Sequence, residues 1–335
     1  GLFFPPDPAS WKYATIGGNV GENAGGMRAV KYGVTSNYVM GLEVVLADGT
    51  LINTGGKAIK NVTGYNLTQL FTGSEGTLGI ITKALLRLIP MPAARNTLQL
   101  MFPSLDNACN TIHKMLMAGV VPAAAELMDK ISLQAVARHR QLAINPLVEA
   151  CVILEIDGET DADLQKQAQR IETIARELEV IEVRIAASQQ EVDEIWAIRR
   201  GLSSAIGAMA PNRFGEDISV PRDAFPETVR LIRQIAEKYN LTIAVYGHAG
   251  DGNIHPSVLG DLSQPGEEER IHQAINEIFD AALSVGGTLS GEHGIGLTKR
   301  PYLVKALGQA GVNTLKMVKQ ALDPKGILNP GKIWQ

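Results

Sequence analysis

The sequence predicts a globular protein with both strands and helices, built from two domains, and three observations support the globular class and the two domains. The chain has 335 residues, and a single hydrophobic core rarely grows beyond about 250–300 residues, so two cores are expected. Hydrophobic residues make up 45% of the chain and charged residues 20%, which is an ordinary globular composition. The 34 glycines cluster in residues 1–91 and 201–335, where we expect tight turns or close approach of a ligand to the backbone.

The first glycine-rich region contains β-strand patterns. Residues 41–53 form two β-rich runs joined by Asp48-Gly49, a strong signal for a β-hairpin. Residues 78–90 are typical of a further strand that ends at Pro90. Strand and helix patterns then alternate, as in β-α-β units on one sheet. The strands predicted there are 97–102, 150–156, 181–186 and 241–247. A helical pattern follows each of the first two strands, and in the second of these helices the buried positions recur from Leu164 to Leu178. Further helices are predicted at 190–209 and 223–239.

Two motifs that contain histidine carry the clearest chemical signal. In HAGDGNIH, residues 248–255, a glycine-rich turn after a strand brings His255 back towards His248. SGEHGIG, residues 290–296, places Glu292 beside His293 between glycines. Two imidazoles and one carboxylate with open coordination positions suit a catalytic divalent metal. A single loop histidine is more often only a polar residue, and the spacing alone does not bring the two motifs together.

His293 is the natural candidate for a general base, because neighbouring residues point in different directions. If Glu292 faces a metal, His293 can face the substrate, and imidazole titrates near neutral pH. The alternative is that His293 only packs the turn. A carboxylate substrate would need at least one guanidinium for a bidentate clamp. Composition alone does not rank the four candidates, which are Arg199, Arg200, Arg213 and Arg222.

Two glycine-rich loops are predicted in the first region. TIGGNVGENAGG, residues 15–26, holds five glycines with Asn19 and Asn23, so it would offer backbone N–H groups and amide donors to a dinucleotide. It lacks the G-x-G-x-x-G pattern, and a close-packed turn is the alternative. FTGSEGTLGIIT, residues 71–82, is a second such loop, and LNPGK, residues 328–332, is most simply a turn after the final helix.

These segments together resemble one known family. In order and in spacing, the chain is similar to the FAD-dependent D-2-hydroxy-acid dehydrogenases of the vanillyl-alcohol oxidase type, and within them to the D subunits of bacterial glycolate oxidases. The resemblance runs from Pro5 to Lys332. The segments that carry it are PPDPAS (5–10), TIGGNVGENAGG, KYGVTSNYVMGLEVVLADG (31–49), FTGSEGTLGIIT, YGHAGDGNIHP (246–256), SGEHGIG and LDPKGILNPGK (322–332).

The resemblance implies roles for individual residues. It implies that His248, His255 and Glu292 bind a divalent metal, which is zinc, manganese or iron, and that His293 is the base. Arg199, in a Trp-x-x-Arg pattern that starts at Trp196, matches the arginine that binds the substrate carboxylate, although Arg200 follows it directly. Some relatives carry a substrate-binding lysine where this chain has Gly215, which leaves the particular hydroxy acid open. The residues implied in FAD binding are Pro6, Gly17, Gly18, Asn19, Asn23, Gly25, Gly76, Ile81 and Asn329.

The resemblance also implies an α+β fold class and the domain organisation. Residues 1–91 match the C-terminal half of a vanillyl-alcohol-oxidase-type FAD-binding domain. Residues 92–310 match a ferredoxin-like substrate domain with the metal site, an antiparallel sheet and helices on one side, and residues 311–335 match a helical segment that returns to the flavin domain. Family members have a further N-terminal half with a loop for the FAD pyrophosphate. We therefore expect a partial FAD site and interpret the chain as a fragment or a truncated product.

The implied activity is oxidation of glycolate or D-lactate to the 2-oxo acid, with hydride transfer to FAD. Cys109 and Cys151 lack the spacing of an iron–sulfur cluster, so we expect electrons to leave through an iron–sulfur or electron-transfer flavoprotein partner subunit. The alternatives are a metal-dependent hydrolase, or a non-catalytic chain that only binds partner subunits. The net charge of −4 argues against nucleic-acid binding. Without a membrane-spanning run, the predicted location is cytoplasmic, with contact at the inner membrane face only through partners.

Overall fold

The computed structural model describes residues 1–334. It divides into two compact units, of which unit 1 joins Gly1–Met91 to the segment that starts at Leu289, and unit 2 is Pro92–Thr288. The boundary after Met91 lies where the sequence analysis places it. The return to unit 1 starts at Leu289 rather than at residue 311, because the loop that follows Leu289 hydrogen-bonds to Glu75.

The structure contains thirteen strands in the described part of the chain, numbered here in chain order. Eight of them form the sheet of unit 2, and the remaining five belong to unit 1. The strands are β1 Leu2–Phe3, β2 Val39–Val45, β3 Leu51–Gly55, β4 Ile80–Leu86, β5 Ile89–Pro90, β6 Ala94–Phe102, β7 Ala124–Asp129, β8 Ala150–Gly158, β9 Glu182–Ile185, β10 Asn212–Gly215, β11 Ile218–Ser219, β12 Thr242–His248 and β13 Asn253–Gly260.

Helices follow most of these strands. The helices are α1 Ile16–Glu22, α2 Ala29–Tyr32, α3 Leu67–Phe71, α4 Leu105–Met117, α5 Lys130–Arg140, α6 Asp161–Glu177, α7 Gln189–Arg200, α8 Leu202–Gly207, α9 Phe225–Tyr239, α10 Glu267–Ser284 and α11 Leu303–Leu322. Single 3-10 turns lie at Thr35–Asn37, Arg222–Ala224 and Arg300–Tyr302. No helix within residues 1–334 is long and apolar enough to cross a membrane.

Unit 1 is built on a three-stranded antiparallel sheet in the order β3-β2-β4. The predicted hairpin is confirmed, since β2 and β3 pair across the Asp48-Gly49 turn. The core of this sheet contains Val44 and Phe71, which are both buried. Val318 and Leu322, on the last turns of α11, pack against the same core. Residues before Met91 and residues after Leu289 therefore share one hydrophobic core.

Unit 2 is built on an eight-stranded sheet in the order β10-β13-β12-β7-β8-β6-β9, with β11 paired to β13. Every pairing is antiparallel. Strands β8 and β9 both pair with β6, so they run parallel to each other on either side of it. This is a split β-α-β arrangement, and it agrees with the predicted ferredoxin-like, antiparallel α+β fold.

Both faces of the sheet of unit 2 are buried, which corrects the expectation of helices on one side only. Neighbouring residues Leu98 and Gln99 on β6 point to opposite faces, and they are 0% and 5% exposed. Helix α7 covers the face that carries Gln99, because Trp196 Nε1 donates to Thr97 Oγ1 at 3.3 Å. Helices α4, α6, α9 and α10 also pack on the sheet.

One predicted helix of unit 2 is divided, and several elements of this unit were not predicted, among them a central strand. The single helix expected at 190–209 is divided into α7 and α8 at Gly201, because glycine has a low helix propensity. Strand β7 was not predicted, although all six of its residues are buried. It is one of the central strands of the sheet, and it carries the carboxylate of Glu126 described below.

Candidate functional site

The β12–β13 hairpin of unit 2 brings two histidines together. His248 ends β12, and His255 on β13 lies opposite Tyr246, so both histidines project from the same face of the sheet. Their ring centroids are 5.2 Å apart. The turn between them needs a glycine, since Gly252 has φ +89° and a Cβ there would lie 2.0 Å from the carbonyl oxygen of Val220. The predicted convergence of the two imidazoles is therefore a product of the local sequence.

A buried carboxylate that the sequence analysis missed connects this hairpin to helix α7. Glu126, on β7, is directly opposite His248 in the antiparallel register, and its side chain is 0% exposed. Its Oε1 lies 2.5 Å from His248 Nδ1, and its Oε2 accepts a hydrogen bond from Arg199 Nε. Burial by itself would raise the pKa of Glu126, but the charge of Arg199 and the contacts with His248 outweigh it and lower this pKa to about 2.

The structure distinguishes the two adjacent arginines of α7. Arg199 is 8% exposed and points onto the sheet, with its Cζ 5.1 Å from the ring centroid of Tyr246. Arg200 is exposed and lies near Asp193 on its own helix. Arg213, on β10, donates from Nη2 to the hydroxyl of Tyr246 at 2.8 Å. Arg199 and Arg213 are therefore both linked to Tyr246, on the face that carries the histidines.

His255 also has a carboxylate beside its Nδ1. Asp217 is 0% exposed, and its Oδ1 lies 3.7 Å from His255 Nδ1 and accepts a hydrogen bond from Asn253 Nδ2 at 2.7 Å. In both imidazoles, Nδ1 thus faces a buried carboxylate. Metal-binding histidines commonly use this arrangement, which leaves Nε2 as the ligand atom. The donor chemistry of this pair fits a divalent cation.

In unit 1, the turn that contains His293 is held by a glutamate from the second glycine-rich segment. The two carboxylate oxygens of Glu75 accept the backbone N–H groups of Ile295, at 2.7 Å, and Gly296, at 2.8 Å. Gly294 has φ +73°, and a Cβ there would lie 2.6 Å from Glu22 Oε2. The pKa of Glu22 is raised by its burial and by the negative charge of Glu75.

A cavity of about 480 Å³ lies next to this turn in unit 1. Glu292 and His293 line it together with residues of the segment 8–24, among them Thr15, Gly18 and Asn19. The His293 side chain is 55% exposed, and its Nε2 lies 4.0 Å from Glu292 Oε1. The volume is within the range of small-molecule and cofactor sites, about 300–1,000 Å³. The cavity joins two of the segments predicted to be functional.

The predicted loop at residues 15–26 begins as a helix instead. Gly17, Gly18 and Asn19 lie in α1, whose N-cap is Thr15, with its Oγ1 accepting the N–H of Gly18 at 3.0 Å. The glycine content favours a loop, but the cap and the burial of Val20 in the core stabilise the helix. Both glycines are exposed and Gly18 lines the cavity, so the backbone of Gly18 is accessible to a ligand there.

Two asparagines predicted to bind FAD have structural contacts in unit 1. Asn23 ends α1 with φ 54°, and its Oδ1 accepts the N–H of Ser36 at 2.8 Å. Asn329 donates from Nδ2 to the carbonyl oxygen of Glu75 at 2.5 Å. Both side chains therefore link segments of unit 1. The amide atoms left for a cofactor are Nδ2 of Asn23 and Oδ1 of Asn329.

The other residues predicted for FAD binding also lie in unit 1. Ile81 is on the outer strand of the three-stranded sheet, paired with Val44. Pro6 and Gly25 are buried, and a Cβ at Gly25 would lie 3.2 Å from Glu292 Oε2. Gly76 has φ +68° and lies beside Asn329. Glycine-rich backbone of this kind fits contact with part of a dinucleotide.

Two family models match this chain and define its class. Residues 91–333 match the family described as FAD linked oxidases, C-terminal domain, and residues 1–55 match the family described as FAD binding domain. The chain therefore belongs to the FAD-linked oxidase family. Its class is that of FAD-dependent oxidoreductases, and the predicted family, enzyme class and FAD cofactor are confirmed.

Curated relatives show which members of the family this chain is similar to. The chain is 42% identical over 334 residues to the glycolate oxidase subunit GlcD of Bacillus subtilis, covering 100% of this chain and 71% of the relative. It is 35% identical to the Escherichia coli subunit of the same name, covering 99% of this chain and 66% of that protein. It is also 34% identical to a D-lactate dehydrogenase of Anaerostipes hadrus, covering 99% and 71%.

Solved structures show the same fold at low identity. The p-cresol methylhydroxylase structure with bound substrate matches with a TM-score of 0.75 at 17% identity, over 99% of this chain and 71% of that one. The 4-ethylphenol oxidase of Gulosibacter chungangensis matches with a TM-score of 0.73 at 20% identity, over 99% and 72%. The prediction of a vanillyl-alcohol-oxidase-type fold is confirmed.

Proposed function

We propose that this chain takes part in the FAD-dependent oxidation of a small 2-hydroxy acid, glycolate or D-lactate, to the 2-oxo acid. The observation that carries the proposal is the buried group of Arg199, His248 and His255 on one face of the sheet of unit 2. A buried guanidinium suits the carboxylate of such an acid. Two imidazoles suit a cation that binds its hydroxyl oxygen.

The names of the relatives support this substrate class. They are a glycolate oxidase subunit, a D-lactate dehydrogenase and, at 33% identity over 341 residues, a D-2-hydroxyglutarate dehydrogenase of Stutzerimonas stutzeri. Glycolate, lactate and 2-hydroxyglutarate share a carboxylate with a hydroxyl on the neighbouring carbon. An arginine for the carboxylate and a metal for the hydroxyl recognise what the three have in common. These relatives support an oxidoreductase over the metal-dependent hydrolase.

In this proposal His248, His255 and Glu292 hold a divalent metal, which is zinc, manganese or iron. A bound cation would act as a Lewis acid towards the hydroxyl and carboxylate oxygens. The fit rests on unit 2, where both imidazoles have Nδ1 directed at a carboxylate, Glu126 or Asp217. Glu292 is the third ligand by resemblance to the family.

Arg199 and His293 carry the other two roles. Arg199 uses Nε for Glu126, so its terminal Nη1 and Nη2 groups would pair with the substrate carboxylate. His293, exposed in the cavity of unit 1, accepts the hydroxyl proton at an imidazole nitrogen. The α-carbon then loses its hydrogen with the electron pair, and the carbon–oxygen bond becomes a carbonyl.

FAD, when bound, supplies the acceptor for that hydride. In the proposal Pro6, Gly17, Gly18, Asn19, Asn23, Gly25, Gly76, Ile81 and Asn329 contribute the cofactor contacts of this chain. The two relatives named GlcD are described as subunits, and we extend this to a partner subunit, an iron–sulfur protein or an electron-transfer flavoprotein, that takes the electrons from the flavin. The proposed location is cytoplasmic, with contact at the inner membrane face only through that partner.

The test begins with the absorbance spectrum of the purified chain, with and without added FAD. Anaerobic titration with glycolate and with D-lactate should then bleach the flavin band. If neither acid reduces bound FAD in the presence of zinc, manganese or iron, the proposed substrate class is wrong. A chain that binds neither FAD nor metal would instead support the non-catalytic alternative.

The role of His293 is tested by His293→Ala, with His272→Ala as the matched control. His272 is 54% exposed on α10 and lies 3.9 Å from Glu268, so it is another exposed histidine beside a glutamate. H293A should keep its FAD and lose at least about 100-fold in the rate of flavin reduction, the usual scale of general base catalysis. H272A should react like the original chain. Equal rates in the two variants would remove His293 from the mechanism.

A further inference from the structure

The buried carboxylate of Glu126 contacts two side chains, His248 through Oε1 and Arg199 through Oε2. We infer that Glu126 is a positioning residue that fixes the tautomer of His248 and, through its second oxygen, the orientation of Arg199. The inference rests on the proposed function in one respect, that His248 is a metal ligand. Glu126 itself would touch neither the metal nor the substrate.

The assignment of the protons follows from the chemistry of the two partners. The Nε of arginine always carries a hydrogen, so Oε2 of Glu126 can only accept from Arg199. Its other oxygen, Oε1, lies 2.5 Å from His248 Nδ1. A carboxylate is an acceptor, so Nδ1 must carry the imidazole hydrogen. The lone pair of neutral His248 is then on Nε2, the atom that a metal requires.

The surroundings leave Glu126 little freedom to do anything else. Its side chain is 0% exposed, so water does not replace either partner. Strand β7 is hydrogen-bonded to β8 on one side and to β12 on the other, which fixes the backbone that carries Glu126. His248 is its direct cross-strand neighbour, where side chains lie about 5 Å apart at Cβ. Both partners are thus held by the sheet and by helix α7.

Glu126→Gln is the informative substitution, because it keeps the shape and removes one acceptor. A glutamine amide has one oxygen acceptor and one NH₂ donor. The oxygen must face Arg199, which can only donate, so the NH₂ group faces His248 Nδ1. That nitrogen then has to accept, and the imidazole hydrogen moves to Nε2. The inference therefore predicts that E126Q loses metal affinity through the wrong tautomer of His248.

A second substitution should reverse this effect. In the double variant E126Q/R199M, no donor from residue 199 holds the glutamine oxygen. The amide can rotate and accept from His248 Nδ1, which returns the lone pair to Nε2. Glu126→Asp, which keeps two acceptor oxygens on a shorter side chain, should bind metal more tightly than E126Q. A residue that only supports the fold would give no such recovery in the double variant.

The experiment is a titration of the full chain and its variants with Co²⁺, followed by the visible absorption of the bound ion. E126Q should lose about 10–100-fold in affinity, the usual effect of removing a partner of a metal-bound histidine. E126Q/R199M should return to within a few-fold of the original chain. ¹⁵N NMR of the metal-free proteins should report hydrogen on Nδ1 of His248 in the original chain and in the double variant, and on Nε2 in E126Q.

Asp129→Asn is the matched control. Asp129 is on the same strand, is 2% exposed, and accepts hydrogen bonds from the backbone N–H groups of Ser132 and Val245. D129N should bind Co²⁺ like the original chain. The inference is wrong if E126Q binds Co²⁺ as tightly as the original chain, if the double variant binds as weakly as E126Q, or if the original chain binds no Co²⁺. Failure of glycolate and D-lactate to reduce the flavin, with this pattern of affinities intact, would overturn only the proposed substrates.

Discussion

The two faces of the sheet in unit 2 differ in what they contain, although both are buried. One face carries apolar side chains such as Leu98, Leu127 and Leu154, each 0% exposed. The other carries Glu126 and His248, which are 0% and 2% exposed. Successive residues of the same strands supply both faces. Burial on the first, apolar face supplies packing, whereas on the second, polar face it also preorganises Glu126 and His248 beside apolar residues such as Ile153.

The largest effect on stability should come from removing a large side chain from the apolar face. Phe102 is 0% exposed and ends β6 on the same face as Leu98. Phe102→Ala should lower the free energy of unfolding by about 3–5 kcal/mol, because it removes buried area and leaves a cavity. Urea unfolding would measure this loss, and Co²⁺ affinity below the transition should not change. If Phe102→Ala also lowers the Co²⁺ affinity of the folded protein strongly, the two faces do not have separate roles.

Asp129 carries a carboxyl group on the apolar face, two residues after Leu127 on the same strand. Its pKa predicts that the stability of the fold depends on pH. Burial raises its pKa from 3.8 to about 6, although hydrogen bonds from Ser132 and Val245 oppose this rise. The folded chain therefore holds the proton more tightly than the unfolded chain. The stability that this group contributes is complete below about pH 4 and is lost as the pH rises through about 6.

The matching measurement compares the original chain with Asp129→Asn across this pH range. At about 1.4 kcal/mol per pKa unit, the difference in unfolding free energy between the two should fall by about 3 kcal/mol from pH 4 to pH 7. Asparagine retains the helix cap, so the cap does not contribute to the slope. A difference that is flat with pH, or that grows as the pH rises, would contradict a raised pKa for Asp129.

The smallest effect on stability should come from removing the hydroxyl group of Tyr246 on the polar face. Its hydroxyl accepts a hydrogen bond from Arg213 Nη2 at 2.8 Å, while Arg213 also donates to Ser257 and Ser203. Tyr246→Phe should therefore lower the free energy of unfolding by about 0.5–1.5 kcal/mol. Under the proposed function it should raise KM for the hydroxy acid by a few-fold and leave kcat nearly unchanged. A large fall in kcat with unchanged KM would place Tyr246 in the chemical step instead.

The local parts of this fold could be predicted from the sequence. The Asp48-Gly49 hairpin and the turn between His248 and His255 depend on residues that are close in sequence, and glycine at these turns is a direct conformational signal. The family and its fold followed from several motifs in the same order. The histidine pair was therefore predictable, down to the strand that ends at His248.

The parts that depend on distant residues could not be predicted in the same way. Glu126 is 122 positions from its partner His248, and its strand is a short apolar run next to the helix α5. The available signal was a single carboxylate between apolar residues, which is costly to bury without a partner. The start of the return to unit 1 at Leu289 was missed for a related reason, since it depends on hydrogen bonds from Ile295 to Glu75, 220 positions apart.

The discontinuity of unit 1 has a consequence for synthesis on the ribosome. Unit 2 is one continuous stretch, so it can fold as it emerges, whereas unit 1 waits for residues after Leu289. Glu75 cannot bind Ile295 and Gly296, and the β2–β4 core cannot receive Val318, until those residues exist. At about 5–20 residues per second, residues 1–91 spend roughly 10–40 s without them. During translation, residues 1–91 thus reach their final packing only after unit 2 and the residues beyond Leu289 have been made, and until then their strands stay exposed.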